Sequence, residues 1–324
     1  MSDVLDHIHG CLVGLIIGDA MGVVTEGLTP FQIRLKFGII KDPLSLEITD
    51  DTLLNFLVAE ALIENQANVT HEVIAKAILK SAGYPRLGPS TLSSIQRLQK
   101  DPKTTATTGD TDGAAMRAFP IGLCSPYEPE TILEKTTVSS MVTHGTSSAI
   151  SAAVAVACAT SAAVEGFKLE QIIDAAFEGA ELGENFGTKS GKSVAFRIRM
   201  AEELVRDITD PWEIQKIIYR EIGVGPLSWE TVPSAFAIFS ACKGDIQKAL
   251  LIAANSGGDT DTLGCITGGL CGAKSGLKSI PKRWAEFVEK LEPQIPSGNV
   301  KRIAEGLMNI RMKLVSEKNS IYKE

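Results

Sequence analysis

The sequence predicts an all-α fold, a single-domain bundle of many helices. Apolar residues recur at helical spacing along almost the whole chain, and no run alternates as a strand would. Three predicted helices also carry a small residue at every fourth position. Hydrophobic residues make up 44% of the 324, enough for one large core, and no Pro/Gly/Ser-rich linker divides residues 1–324.

Taken in order, the first helix is expected over 3–22, with Gly10, Gly14, Gly18 and Gly22 along one side. The second spans 50–64 and is opened by Thr49-Asp50-Asp51-Thr52 before an amphipathic run. Periodicity then places helices at 71–82, 90–99 and 130–142. The next helix, over 146–165, contains most of an uncharged stretch from Gly145 to Val164 and repeats the small-residue pattern through Gly145, Ala149, Ala153, Ala157 and Ser161. It is long enough to raise the question of a membrane span. Its Ala, Ser and Thr content instead reads as a buried central helix, and no membrane partner is expected. Helices follow at 169–182, 190–205, 211–221, 230–241 and 245–254. The segment 262–276 carries Gly264, Gly268, Gly272 and Gly276; helices at 282–290 and 299–316 complete the set, and the charged tail after Lys313 is expected to fray.

Glycine inside a helix costs about 1 kcal/mol relative to alanine, so a helix with several must recover that elsewhere. Spacing four makes a single ridge without side chains, which lets helix axes approach closely and gain dispersion contacts. The three small-residue helices are therefore expected to meet at the centre of the bundle, bringing their end loops together.

Acidic residues gather at those ends. Asp19 and Glu26 close the first helix, Asp50 and Asp51 open the second, and Asn255-Ser256-Gly257-Gly258-Asp259-Thr260-Asp261-Thr262 opens the last glycine-ridged helix. A lone Asp at a helix start reads as an N-cap. Two adjacent Asp between hydroxyl residues, and Gly-Gly-Asp-Thr-Asp-Thr, exceed what capping needs, since clustered carboxylates repel one another unless a cation lies among them. The four His (7, 9, 71, 144) are dispersed, and the six Cys (11, 124, 158, 242, 265, 271) form no CxxC pair and read as reduced core residues. A metal here would be held by oxygen, which favours Mg²⁺ or Mn²⁺. A second Gly-Asp-Thr-Asp at 109–112, followed by Gly113-Ala114-Ala115-Met116-Arg117, could bring backbone N–H groups to a ligand or be an ordinary capped turn. A lone His is usually a structural residue or a cap, so His144 reads as one of these before it reads as a residue that touches substrate. Net charge is −7 with no basic run, which argues against nucleic acid; the acidic N-terminus does not resemble a signal peptide, so a cytoplasmic location is expected.

Together these stretches resemble the ADP-ribosylglycohydrolase family, which includes the dinitrogenase reductase-activating glycohydrolases and a jellyfish lens crystallin. The resemblance rests on GLIIGDAMGVVTE (14–26), Thr49–Thr52, GAAMRAFP (113–120), Thr143-His144 and NSGGDTDTLGCITGGLCG (255–272), in the family's order. It implies a cleft with two Mg²⁺ or Mn²⁺ ions, ligated by Thr49, Asp50, Asp51, Asp259, Asp261 and Thr262. Glu26 matches the family's mobile glutamate, and Glu26, Asp50 and Asp261 are the implied catalytic carboxylates. Asp112, Gly113, Ala114, Ala115 and His144 look like the ribose- and phosphate-lining residues. Many members have Asn where this chain has Asp112, and the segment from Pro30 to Thr49 is short. Three functions follow as expectations: removal of ADP-ribose from a modified protein or small conjugate, hydrolysis of a nucleoside or other small ribosyl compound, or a non-catalytic structural role. The full acidic set argues against the last.

Overall fold

In the computed structural model, which describes residues 2–296 and 298–321, every regular element is helical. The α-helices are α1 (Ser2–Gly22), α2 (Pro30–Phe37), α3 (Asp50–Glu64), α4 (His71–Leu79), α5 (Pro89–Lys100), α6 (Phe119–Cys124), α7 (Pro129–Met141) and α8 (Ser147–Val164). They continue as α9 (Leu169–Gly183), α10 (Val194–Val205), α11 (Pro211–Ile217), α12 (Ser228–Ala241), α13 (Ile246–Ala253), α14 (Thr260–Ser275), α15 (Lys282–Leu291) and α16 (Val300–Ile321). A π-helical turn, Ile218–Ile222, extends α11.

The glycine ridges pair α1 with α14. A Cβ added to Gly18 would fall 1.9 Å from the Gly264 carbonyl oxygen, and one on Gly14 would fall 2.2 Å from that of Gly268. Gly22 meets Thr260 and Gly10 meets Gly272 in the same way, so the two helices run antiparallel with backbone against backbone. The end of α1 thereby lies beside the start of α14.

The third small-residue helix, α8, touches both members of that pair but packs most closely elsewhere. Every residue of α8 is buried, but its closest approaches are to α6 and α9, where Gly122 meets Ala157, Gly179 meets Cys158 and Gly183 meets Ser151. The ridge residue Ala157 takes α6, while α9 packs on Ser151 and Cys158 beside the ridge. By length and composition α1 and α8 could each cross a membrane, yet in this fold α8 is enclosed on all sides.

The last helix reaches beyond the segment 299–316 expected from the sequence. It continues to Ile321, because Leu314 packs on the core and Lys318 forms an ion pair with Glu128. Two elements were not anticipated. One is α2, capped by Thr29 and Gln32 with Pro30 in its first turn; the other is the wholly buried α6. All six cysteines are buried and unbridged.

Candidate active site

Three helix termini and two loops converge on one cavity of about 450 Å³. Glu26 comes from the loop after α1, Thr49 and Asp50 from the start of α3, and Asp259, Asp261 and Thr262 from the start of α14. Asp112, Gly113 and His144 form the opposite wall, together with residues 86–91. Ala114 and Ala115 are buried behind that wall, while Met116 reaches the lining.

Asp19, one turn before the end of α1, fixes the α3 start. Its buried carboxylate accepts from the backbone N–H groups of Thr49 (3.0 Å) and Thr52 (3.2 Å) and from the Thr52 hydroxyl (2.5 Å). A carboxylate borrowed from another helix thus satisfies donors that the α3 start leaves open. Asp19→Ala should strand three buried donors and lower stability by about 1–3 kcal/mol, read as an earlier denaturant midpoint; an unchanged midpoint would contradict this positioning role.

Below the cavity floor lies Asp51. It accepts from the hydroxyls of Thr49 (3.2 Å) and Thr262 (3.2 Å), joining the α3 and α14 starts. The α14 start is held by Gly257 and Gly258, both at positive φ (76° and 72°). A side chain on Gly258 would collide with the Val224 carbonyl, and the following Asp259 N–H donates to that same oxygen at 2.7 Å. Gly258 also exchanges backbone hydrogen bonds with Gly27 and Leu28, which ties the Glu26 loop to α14.

The opposite wall is organised by Arg117. Fully buried, it donates to the carbonyls of Gly113 (2.5 Å) and Ser139 (3.1 Å), so the Gly113 carbonyl is taken up on the buried side. His144 packs directly against Gly113, where an added Cβ would fall 2.6 Å from the imidazole Cε1. Both ring nitrogens are engaged, Nδ1 with Thr143 (2.7 Å) and Nε2 with Thr111 (2.9 Å). Burial, aided by Arg117, pushes the imidazole down to about 3, so it is neutral. The geometry makes His144 a brace that lines the cavity.

Electrostatically the site is crowded. Burial pushes Asp19 and Asp50 up to about 6 each, although the Gly88 N–H bonded to Asp50 Oδ2 (3.1 Å) opposes this for Asp50. Asp51, Asp259 and Asp261 are held well above the usual carboxylate range by burial first, and next by Asp261, Asp112 and Asp259 respectively. Asp112 faces Thr231 and Asp259, and burial raises it to about 7, so it carries only part of a charge near neutral pH.

Among the described residues, no group of three or more Asp, Glu, His or Cys side chains stands as a ready-made metal cage. The oxygens that could share an ion are mixed: the Thr49 and Thr262 hydroxyls with the carboxylates of Asp50, Asp51, Asp259 and Asp261. Asp261 Oδ1 and Asp112 Oδ2 are buried without a hydrogen-bond partner. An orphaned anionic oxygen within an all-oxygen donor set fits a hard divalent ion.

A family model described as ADP-ribosylglycohydrolase matches residues 1–317. The chain belongs to the ADP-ribosylglycohydrolase family. It is 32% identical over 301 residues to an uncharacterized protein of Archaeoglobus fulgidus, covering 89% of this chain and 93% of the relative. It is 26% identical over 304 residues to the ADP-ribosyl-[dinitrogen reductase] glycohydrolase of Rhodospirillum rubrum, covering 90% and 93%. A solved structure described as an ADP-ribosylglycohydrolase-related protein complex superposes with a TM-score of 0.73 at 23% identity, covering 96% of this chain and 100% of that one, and shows the same fold. As an ADP-ribosylglycohydrolase family member, the chain is a hydrolase of glycosyl bonds.

Sequence reasoning did not assign roles to Asp19, Arg117 or the 86–91 loop. Asp19 had a signal, an acid beside Gly18 on the glycine-ridged helix. Arg117 and the loop act through contacts that no local pattern encodes.

Proposed function

We propose that the chain releases ADP-ribose from a modified protein or a small ADP-ribosyl conjugate, with two Mg²⁺ or Mn²⁺ ions as cofactors. The observation that carries this reading is the convergence of the α3 and α14 starts on one cavity, with an unpaired Asp261 oxygen between them. Thr49, Asp50, Asp51, Asp259, Asp261 and Thr262 would hold the ions. When bound, such ions supply Lewis acidity and chelation of vicinal ribose hydroxyls.

The chain's own groups do the rest. Gly113, held from behind by Arg117 and His144, offers a wall without a side chain against which a sugar can lie. Water attacks the anomeric carbon as the bond to the leaving N or O breaks. Glu26 or Asp50, both at the cavity surface, takes the water proton, and that proton passes on to the leaving N or O so that the leaving group departs neutral and the carboxylate is restored. Positive charge growing on the ribose ring is stabilised by the surrounding carboxylates. The partial neutrality of Asp112 meets the requirement that no full extra anion face a diphosphate.

Incubation with ADP-ribosyl-arginine, ADP-ribosyl-serine, O-acetyl-ADP-ribose and common nucleosides tests the proposal. Free ADP-ribose should appear with Mg²⁺ or Mn²⁺ and cease with a chelator. Hydrolysis of nucleosides alone would replace this reading with the small-ribosyl one, and turnover undiminished by chelator would remove the ions from it.

A further inference from the structure

The lining of the cavity is unbalanced in charge. Glu26, Asp50, Asp112, Asp259 and Asp261 are acidic, and among the described lining residues the one basic side chain is Arg86. A substrate bearing two phosphates must enter past those acids, so its recognition calls for a cation at the mouth.

Arg86 occupies that position. It stands on the loop between α4 and α5 with 42% of its side chain exposed. Its guanidinium reaches Glu47 at 3.0 Å and Glu26 at 3.8 Å. Two residues on, the Gly88 N–H is bonded to Asp50, which anchors the loop to the site. Both partners of Arg86 are about half exposed, and ion pairs of that kind contribute only about 0–1 kcal/mol. The guanidinium can therefore exchange a carboxylate for a better-matched anion, and its planar fork of donors suits phosphate oxygens. The neighbouring guanidinium of Arg117 is spent on carbonyls behind the wall.

We propose that Arg86 is a specificity-determining substrate-binding residue that grips the diphosphate of an ADP-ribosyl substrate at the cavity mouth. This rests on the ADP-ribosyl reading above. Gripping phosphate draws Arg86 off Glu26, so recognition of the anion also frees the carboxylate nearest the entrance.

Isothermal titration of ADP-ribose into the full chain with Mg²⁺ tests this, alongside steady-state hydrolysis of an ADP-ribosyl substrate. Arg86→Gln should raise the ADP-ribose Kd and the substrate KM about 10- to 100-fold, with kcat within about threefold of the parent. Arg86→Lys should recover part of the affinity, and the parent KM should rise more steeply with salt than that of the Gln variant. A Gln variant whose Kd stays within twofold of the parent overturns the proposal. So does a fall in kcat at unchanged Kd, which would make Arg86 a positioning residue for Glu26. If the parent itself neither binds ADP-ribose nor hydrolyses its conjugates, the functional reading falls and takes this proposal with it; the parent's own data separate the two failures.

Discussion

Asp261→Asn should reduce hydrolysis of an ADP-ribosyl substrate by at least about 100- to 1,000-fold while the helical circular dichroism signal stays intact. The replacement keeps the size of the side chain and removes its charge. It puts an amide where a carboxylate oxygen now lies buried and unpaired. A neutral amide is a poorer ligand than a carboxylate for a hard divalent ion, so the variant should also lose most of the rise in thermal midpoint expected of the parent on adding Mg²⁺ or Mn²⁺. Its fold should not suffer. Asp261 is buried and held well above the usual carboxylate range, first by burial and next by Asp259, so a charge there is costly in the cation-free protein and a neutral amide carries no such cost. A melting curve in chelator should therefore match or exceed that of the parent. Turnover within about tenfold of the parent would refute a catalytic place for Asp261.

The largest effect on stability is expected at Gly18. In Gly18→Ala the new methyl would lie 1.9 Å from the Gly264 carbonyl oxygen and 2.3 Å from its carbon. No flexible side chain is there to yield, since both neighbours are backbone atoms of a buried helix. The two axes must separate, and the carbonyl contacts along the rest of the ridge loosen with them. A loss of about 3 kcal/mol or more follows, toward the upper end of overpacking penalties, and chemical denaturation would measure it. Activity should fall as well, because Asp19 at the end of α1 positions Thr49 and Thr52. A variant as stable as the parent would show that the ridges do not set the helix spacing.

Much of this architecture is written in local pattern. The glycines at 10, 14, 18 and 22 and at 264, 268, 272 and 276 announce a close helix pair, and Asp259 lies at the end this pair brings together, to which Asp19 ties the α3 start with Asp50. The missed elements are those with weak periodicity. In α2 only Ile33 is buried while Phe31 and Leu35 are exposed, so no apolar stripe marks it; the Thr29-Pro30-Phe31-Gln32 capping signal did. In α6 all six residues are buried, which erases any contrast between faces. The stripe on α8 was visible but its partners were not, since small residues report closeness without saying to what. His144 and Arg86 show the same limit within the site: a bracing imidazole and a cation at the mouth are defined by residues far away in the chain.

The pairing of the first helix with the fourteenth has a consequence for biosynthesis. The Thr260 hydroxyl bonds the Gly22 carbonyl across 238 positions of chain. At a translation rate of about 5–20 residues per second, α1 waits on the order of ten to fifty seconds after leaving the ribosome before its mate is made. Throughout that time it is a long, largely apolar segment with a bare stripe that still lacks its mate. The candidate pocket, lined by Asp261 and Thr262, is consequently among the last features to form, and a polypeptide truncated before residue 260 would never acquire it.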